Sequence, residues 1–221
     1  MDNLIADFHI HSRFSHDSLM SPEQIVKRAK ITGLSAIAVT DHNTIRGAFQ
    51  AQKVAKGCHI QVIVGSEIKT TGGDIIGLLL NEEISSTEWV DVIQDIRSQG
   101  GWVVLPHPYR GHENPEQIAK YTDFVEVWNS RCAVEENKRA LDLALSTGKK
   151  GIYGSDAHCP SEIGLVRIQV DPTSFEVQQV LSSSSTSSLN IHKSQVISLV
   201  RYRKFGTLIR AGAGFLWKKV D

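Results

Sequence analysis

Leu4-Ile5-Ala6-Asp7-Phe8-His9-Ile10-His11 is short, apolar and rich in extended-chain formers, and it delivers two histidines one residue apart at its end. In a strand, residues i and i+2 point to the same side, so His9 and His11 share a face and Ile10 takes the other. Two imidazoles on one face of a strand end make a ready pair of metal ligands. Taken alone the spacing is only permissive, because two alternating histidines satisfy it by chance as well. The rest of the chain decides, since similar strand ends keep supplying His, Asp and Glu.

Working outward, a polar loop covers Ser12 to Leu19. Ser21-Pro22-Glu23-Gln24 then predicts a helix start, with Ser21 as N-cap, Pro22 at the first helical position and Gln24 closing a capping box. Ser35 to Thr40 reads as a buried strand ending in Asp41-His42, and a helix follows to about Lys56. Ile60 to Val64 is a strand ending in Gly65-Ser66-Glu67. Gly72-Gly73 marks a turn before Ile75 to Leu80, and Thr87 to Ser98 reads as a helix closed by Gly100-Gly101. Trp102 to Leu105 ends in Pro106-His107-Pro108, and Phe124 to Trp128 ends in Asn129. A helix from Ala133 to Ser146 leads to Gly151 to Gly154 and then Ser155-Asp156-Ala157-His158, and Leu165 to Val170 is the last strand. Repeated strand-then-helix units with short connections predict a parallel sheet, and polar residues recurring after strand ends favour a barrel over an open sheet.

Composition narrows the class. The chain has 221 residues, enough for one domain with a full core. Lys plus Arg and Asp plus Glu balance at 24 each, which argues against a polyanion-coating surface or an acidic tail. Cys58, Cys132 and Cys159 form no Cys-x-x-Cys pair and suggest a reducing compartment. No signal-peptide pattern and no apolar run near the ~20 residues of a membrane span is present, so the expectation is a soluble cytoplasmic protein. Residues 1–172 are expected to form the barrel and 173–221 a C-terminal extension packing on it. The extension holds a serine-rich loop, Ser182 to Ser188, and a basic, partly apolar stretch from Ile191 to Asp221.

The collected candidates are His9, His11, His16 or Asp17, Asp41, His42, Glu67, His107, Asp156 and His158. A mixed imidazole and carboxylate set suits Zn, Mn or Fe, and it is too large for one tetrahedral ion. Asp17 has the better spacing from His11, while His16 remains open. Asp41 reads as a carboxylate that orients a histidine ligand. Arg13, Arg110 and Arg131 lie on loops after strand ends and can offer forked donors to phosphate; Asn129 either binds substrate or caps its loop. His59, His112 and His192 match no motif, and Cys159 reads as a small neighbour of His158 rather than a nucleophile.

His9-Ile10-His11-Ser12 with Ser15 and Asp17, Thr40-Asp41-His42, Gly65-Ser66-Glu67, Pro106-His107-Pro108 and Gly154-Ser155-Asp156-Ala157-His158, in that order, resemble the motifs of the PHP (polymerase and histidinol phosphatase) family. The resemblance implies a distorted (β/α)7 TIM-like barrel and metal-dependent phosphoester hydrolysis of a small phosphorylated metabolite, nucleotide or short oligonucleotide. It implies two or three divalent ions. His9, His11, Glu67 and Asp156 would hold one, Glu67 would bridge to a second held by His107, and Asp17, His42 and His158 would hold a third. Asp156 and His158 would also handle a proton. One departure stands out: family members often supply another His between the Glu and the His-Pro motif, and residues 68–106 contain none, so the second ion is expected to draw on Asp74 or waters. Histidinol-phosphate phosphatase, a metal-dependent C–N hydrolase and a non-catalytic module are the alternatives.

Overall fold

The first strand, β1 (Leu4–Ile10), lies mid-sheet, with β2 (Ala36–Val39) parallel on one side and β8 (Val166–Val170) antiparallel on the other. The computed structural model describes residues 3–201. Between β1 and β2 runs α1 (Pro22–Ile31), capped as the sequence predicts: Gln24 N donates to Ser21 Oγ at 3.3 Å and Ser21 N donates to Gln24 Oε1 at 2.8 Å. Its buried residues, Pro22, Ile25, Val26 and Ala29, fall at helical spacing along one stripe. After β2 come α2 (Arg46–Ala55), β3 (Gln61–Thr70), β4 (Gly73–Leu78), α3 (Trp89–Ser98), β5 (Trp102–Leu105), α4 (Pro115–Ala119), β6 (Phe124–Asn129), α5 (Val134–Thr147) and β7 (Lys150–Gly154). Beyond β8 lie β9 (Val177–Ser183) and α6 (Ser188–Arg201).

The sheet order is β7-β6-β5-β4-β3-β2-β1-β8-β9. Strands β1 to β7 curl into a nearly closed barrel, an α/β fold of the distorted TIM-like kind. The gap between β1 and β7 is bridged at one end only. There Ile10 pairs with Ala157, His11 N donates to Ala157 O at 2.8 Å and Ala157 N donates to His9 O at 3.2 Å. The other half of the β1 edge is taken by β8, at Leu4 to Ala6. The expected all-parallel barrel is corrected at β4, which pairs antiparallel with both β3 and β5. The cause is local: β3 and β4 are joined by Thr71-Gly72 alone, and a link that short permits only a hairpin.

A second feature sets where the histidines point. Leu4, Ala6 and Phe8 face the interior cluster with Ala36, Ala38, Ile63 and Phe124, whereas Ile5 and Ile10 face the outer cluster beneath the helices. Strict alternation would send Ile10 inward and His9 and His11 outward. The β1–β2 register shifts between Asp7 and Ile10. Such a bulge reverses the parity and re-aims the following side chains. The two histidines therefore turn into the barrel mouth.

The serine-rich tract is a loop over residues 184–187 only, and that loop is tethered. Ser182 and Ser183 end β9, Ser188 begins α6, and Thr186 between them is fixed by N donating to Ser130 O at 2.7 Å and Oγ1 donating to Glu162 Oε1 at 2.6 Å. β9 is an outer edge strand with mostly exposed residues, so it lacks the apolar alternation that marks a strand in sequence. The basic residues Arg203, Lys204, Arg210, Lys218 and Lys219 lie outside the described residues. Among the described residues no helix is long and apolar enough to cross a membrane.

Candidate metal centre

Every polar motif of the sequence reaches the same end of the barrel. β1 brings His9 and His11, β3 brings Glu67, and the turns after β2, β5 and β7 bring His42, His107, Asp156 and His158. Asp17 comes from the loop after β1. Two of these residues sit in left-handed backbone, His107 at φ 28° and Asp156 at φ 53°. Such conformations are costly for residues with side chains and persist where the surroundings enforce them.

Donor atoms converge in three overlapping groups, each with all its atoms within 4.8 Å of one another. One is His11, Asp17, His42 and His158; the second is His9, His11 and Glu67; the third is Glu67, Asp74 and His107. Asp156 joins from beside the first two, its Oδ1 being 3.2 Å from His11 Nε2 and 3.5 Å from His9 Nε2. Asp17 Oδ2 lies 2.9 Å from His158 Nε2 and 3.3 Å from His42 Nε2. The His16 ring stands outside these groups, stacked on His42 with centroids 4.7 Å apart. Asp74 enters where the sequence lacks the additional histidine.

Four histidines have their ring orientation set from behind. His9 Nδ1 meets Glu126 Oε1 at 2.9 Å, His107 Nδ1 meets Arg110 O at 3.1 Å, and His158 Nδ1 meets Asp156 O at 2.7 Å. A carboxylate or carbonyl accepts only, so each Nδ1 is the donor and each Nε2 faces the cluster. His11 Nδ1 meets Ser15 Oγ at 2.9 Å; that hydroxyl donates to Asp41 Oδ1 at 3.0 Å, which makes the imidazole the donor there too. Asp41 thus acts on His11 through Ser15, and it also accepts from Ser12 N and Ser12 Oγ, each at 2.6 Å.

The field follows from this packing. Burial alone would raise the Glu67 carboxyl, but His42, His9, His107 and His11 around it hold it well below the usual carboxylate range. Asp156 is likewise held low against its burial, by His9 and Arg110 first. Burial alone would lower His11, but hydrogen bonds to Asp156 and Glu67 push it up to about 10. His9 is raised against its burial by the charges of Asp156, Glu126 and Glu67. Carboxylates that stay ionised and stabilise positive charge on the imidazoles around them also attract a cation, and imidazoles surrender the proton when they ligate it.

A divalent ion fits this donor set on two observations. His9 Nε2 and His11 Nε2 are 3.0 Å apart and aimed at the same space, where at most one proton fits between them. Asp17 Oδ1 is buried with no hydrogen-bond partner among the described residues, and buried polar atoms are seldom left so.

The remaining candidates are placed as follows. Arg110 Nη2 donates to Asp156 Oδ2 at 2.5 Å from the cavity rim. Asn129 is buried, with Nδ2 donating to Glu126 Oε2 at 3.0 Å and Asp156 Oδ2 at 3.3 Å. Arg131 lines the cavity but is engaged on Glu162 at 3.2 Å, with Nη1 donating to Ser194 Oγ at 2.9 Å. Arg13 is exposed beside Gln50 and is not among the cavity-lining residues. Glu126 went unnoticed in the sequence. Its signal was there: a carboxylate amid Phe124-Val125-Glu126-Val127-Trp128, in a strand otherwise wholly apolar until Asn129.

The barrel and its donor set describe an α/β protein with a candidate metal centre. The PHP domain family matches residues 7–98 and the PHP-associated family matches 134–184. This chain belongs to the PHP family. It is 44% identical over 115 residues to the uncharacterized protein MJ1587 of Methanocaldococcus jannaschii, covering 47% of this chain and 67% of that one. To MJ0417 of the same organism it is 31% identical over 188 residues, 80% of this chain and 74% of that one. A 5'-3' exoribonuclease of Haemophilus influenzae is 41% identical over 76 residues, 33% of this chain and 27% of that one. Among solved structures, a two-domain protein from Bacteroides vulgatus containing a predicted PHP-like metal-dependent phosphoesterase superposes with a TM-score of 0.62 at 23% identity, over 76% of this chain and 59% of that one.

Proposed function

We propose that the protein hydrolyses the phosphoester of a small phosphorylated metabolite, a nucleotide or a short oligonucleotide, using two or three divalent ions of the Zn, Mn or Fe type. The observation that carries the reading is the convergence of imidazole nitrogens and carboxylates on one buried space, with four of the imidazoles already oriented from behind by other partners. His9, His11, Glu67 and Asp156 would hold one ion. Glu67 would share a second with His107 and Asp74, and Asp17, His42 and His158 would hold a third. Bound there, such ions would polarise phosphoryl oxygens and would lower the pKa of a water toward ~7.

The chain's own groups do the rest. Arg110, steered by Asp156, presents its remaining guanidinium donors to the phosphoryl oxygens at the rim. Asn129 and Glu126 keep Asp156 and His9 in place. Asp156 and His158 are the groups proposed to move the proton at the attacking and leaving oxygens, since both reach the cavity. The likeness to the exoribonuclease, confined to one third of this chain, favours a nucleotide among the candidate substrates.

The test is metal analysis of the purified protein beside a phosphate-release screen with Mn or Zn. Sugar phosphates, histidinol phosphate, nucleotides and short oligonucleotides make the panel. Two or more ions per chain and release from one substrate group are expected. A folded protein that binds no metal, or a loaded one that releases nothing while cleaving an amide or amidine, would overturn the reading.

A further inference from the structure

The cavity over the cluster measures about 620 Å³. That lies in the range of pockets that enclose a drug-sized ligand, and it is far more than a phosphoryl group occupies. The surplus runs along α6. Ile191, Ser194, Gln195, Ser198 and Leu199 line it, at positions i, i+3, i+4, i+7 and i+8 of one helix face. The opposite side is the donor cluster with Arg110.

Resting on the phosphoesterase reading, we propose that this face of α6 is the subsite for the organic body of the substrate, and that the substrate is a nucleoside-sized phosphate monoester. The wall side chains are uncharged. Ile191 and Leu199, eight residues apart, are separated by about 12 Å along the helix, with an amide and hydroxyls between them. Aliphatic side chains pack on the faces of a heteroaromatic ring, while Gln195 and Ser198 offer donors and acceptors to its edge and to sugar hydroxyls.

The placement of α6 is built for this. Ser194 is its one buried residue, so the helix is not held by a wide apolar seam. It is held by two arginines. Arg131 donates from Nη1 to Ser194 Oγ at 2.9 Å and from Nη2 to Asn190 O at 3.2 Å. Arg201 donates from Nη1 to Arg13 O at 3.0 Å and also to Ser15 O. Arg131 is paired with Glu162, whose Oε2 accepts from His158 N at 2.7 Å. One of the two anchors of the wall thus also reaches the cluster. α6 also lies beyond both segments matched by the family, 7–98 and 134–184, which is where a feature selective for this chain's own substrate would sit.

Adenosine 5'-monophosphate and inorganic phosphate are the probes, titrated calorimetrically into metal-loaded full-length protein and its Gln195→Ala and Leu199→Ala variants. Each variant should weaken the nucleotide about tenfold and leave phosphate within about twofold. The retained phosphate affinity doubles as the folding control. KM for the nucleotide should rise in parallel. Unchanged nucleotide affinity in both variants, or no nucleotide binding by the wild type, overturns the subsite. So does a 5'-phosphorylated oligonucleotide hydrolysed faster than the mononucleotide and indifferent to both variants. Nucleotide binding that obeys the variants without any hydrolysis would instead sink the phosphoesterase reading and keep the subsite.

Discussion

Glu126 is the residue on which the centre leans most without belonging to it. One oxygen takes His9 Nδ1, and the other takes His107 N at 2.9 Å and Asn129 Nδ2 at 3.0 Å. Glutamine offers one acceptor oxygen in place of two, so Glu126→Gln must abandon either the imidazole or the backbone amide. Residues behind metal ligands typically carry 10–100-fold in affinity. Metal titration of Glu126→Gln should show a loss of about that size with the circular dichroism unchanged; wild-type affinity would show that His9 is oriented some other way. Gly154 guards the same contact. A Cβ there would fall 2.2 Å from Glu126 Oε1 and 2.4 Å from His9 Cβ. Gly154→Ala should therefore destabilise the fold by about 1–3 kcal/mol, read as a lowered urea midpoint. The five motifs were legible because they stand at strand ends, where polar residues break an apolar run. Glu126 escaped because the imidazole it orients, His9, lies 117 residues distant in sequence.

Among the elements, α6 is tied down by Arg131 and Arg201, and the first of these sits in a buried ion pair. The Arg131 and Glu162 side chains are 8% and 0% exposed. Breaking such a pair from one side leaves a charge without compensation and costs about 3–5 kcal/mol. Arg131→Met should show that loss in chemical denaturation, and hydrogen exchange should quicken in 188–201 before it does in β1. Adding Glu162→Gln should return part of the stability, because the stranded carboxylate is then gone. Exchange in α6 unaltered by Arg131→Met would mean that Arg201 alone suffices. The element types were legible where periodicity is strong, as in α1, where a capping box heads an apolar stripe. Pairing direction was not legible in β4, since direction is set by the length of a link rather than by the strand. Nor was β9, whose exposed edge carries no pattern. The β1 bulge was equally silent: nothing in Asp7-Phe8-His9-Ile10 announces a change of parity.

At the scale of the whole molecule, ligation and stability are one quantity. A ligand bound only by the native state adds about 2.7 kcal/mol when present at a hundred times its dissociation constant. For a protein of this size that is roughly 5–10 °C in melting temperature. Chelation should lower the melting temperature by about that much, and added Mn or Zn should restore it; an unmoved transition would mean that the centre is weakly loaded or absent. The direction of this effect has a geometric root. β1 gives the first half of its free edge to β8 and the second half to the turn that carries Asp156 and His158. The residues that clasp the barrel shut are therefore neighbours of the residues that would meet the ion. Asp7 Oδ1 accepts from Ser155 N at 2.9 Å just below them. The donor cluster is therefore complete only where the sheet is closed. Hoop and clasp share these residues, so a cation bound there would also favour the chains that have closed correctly.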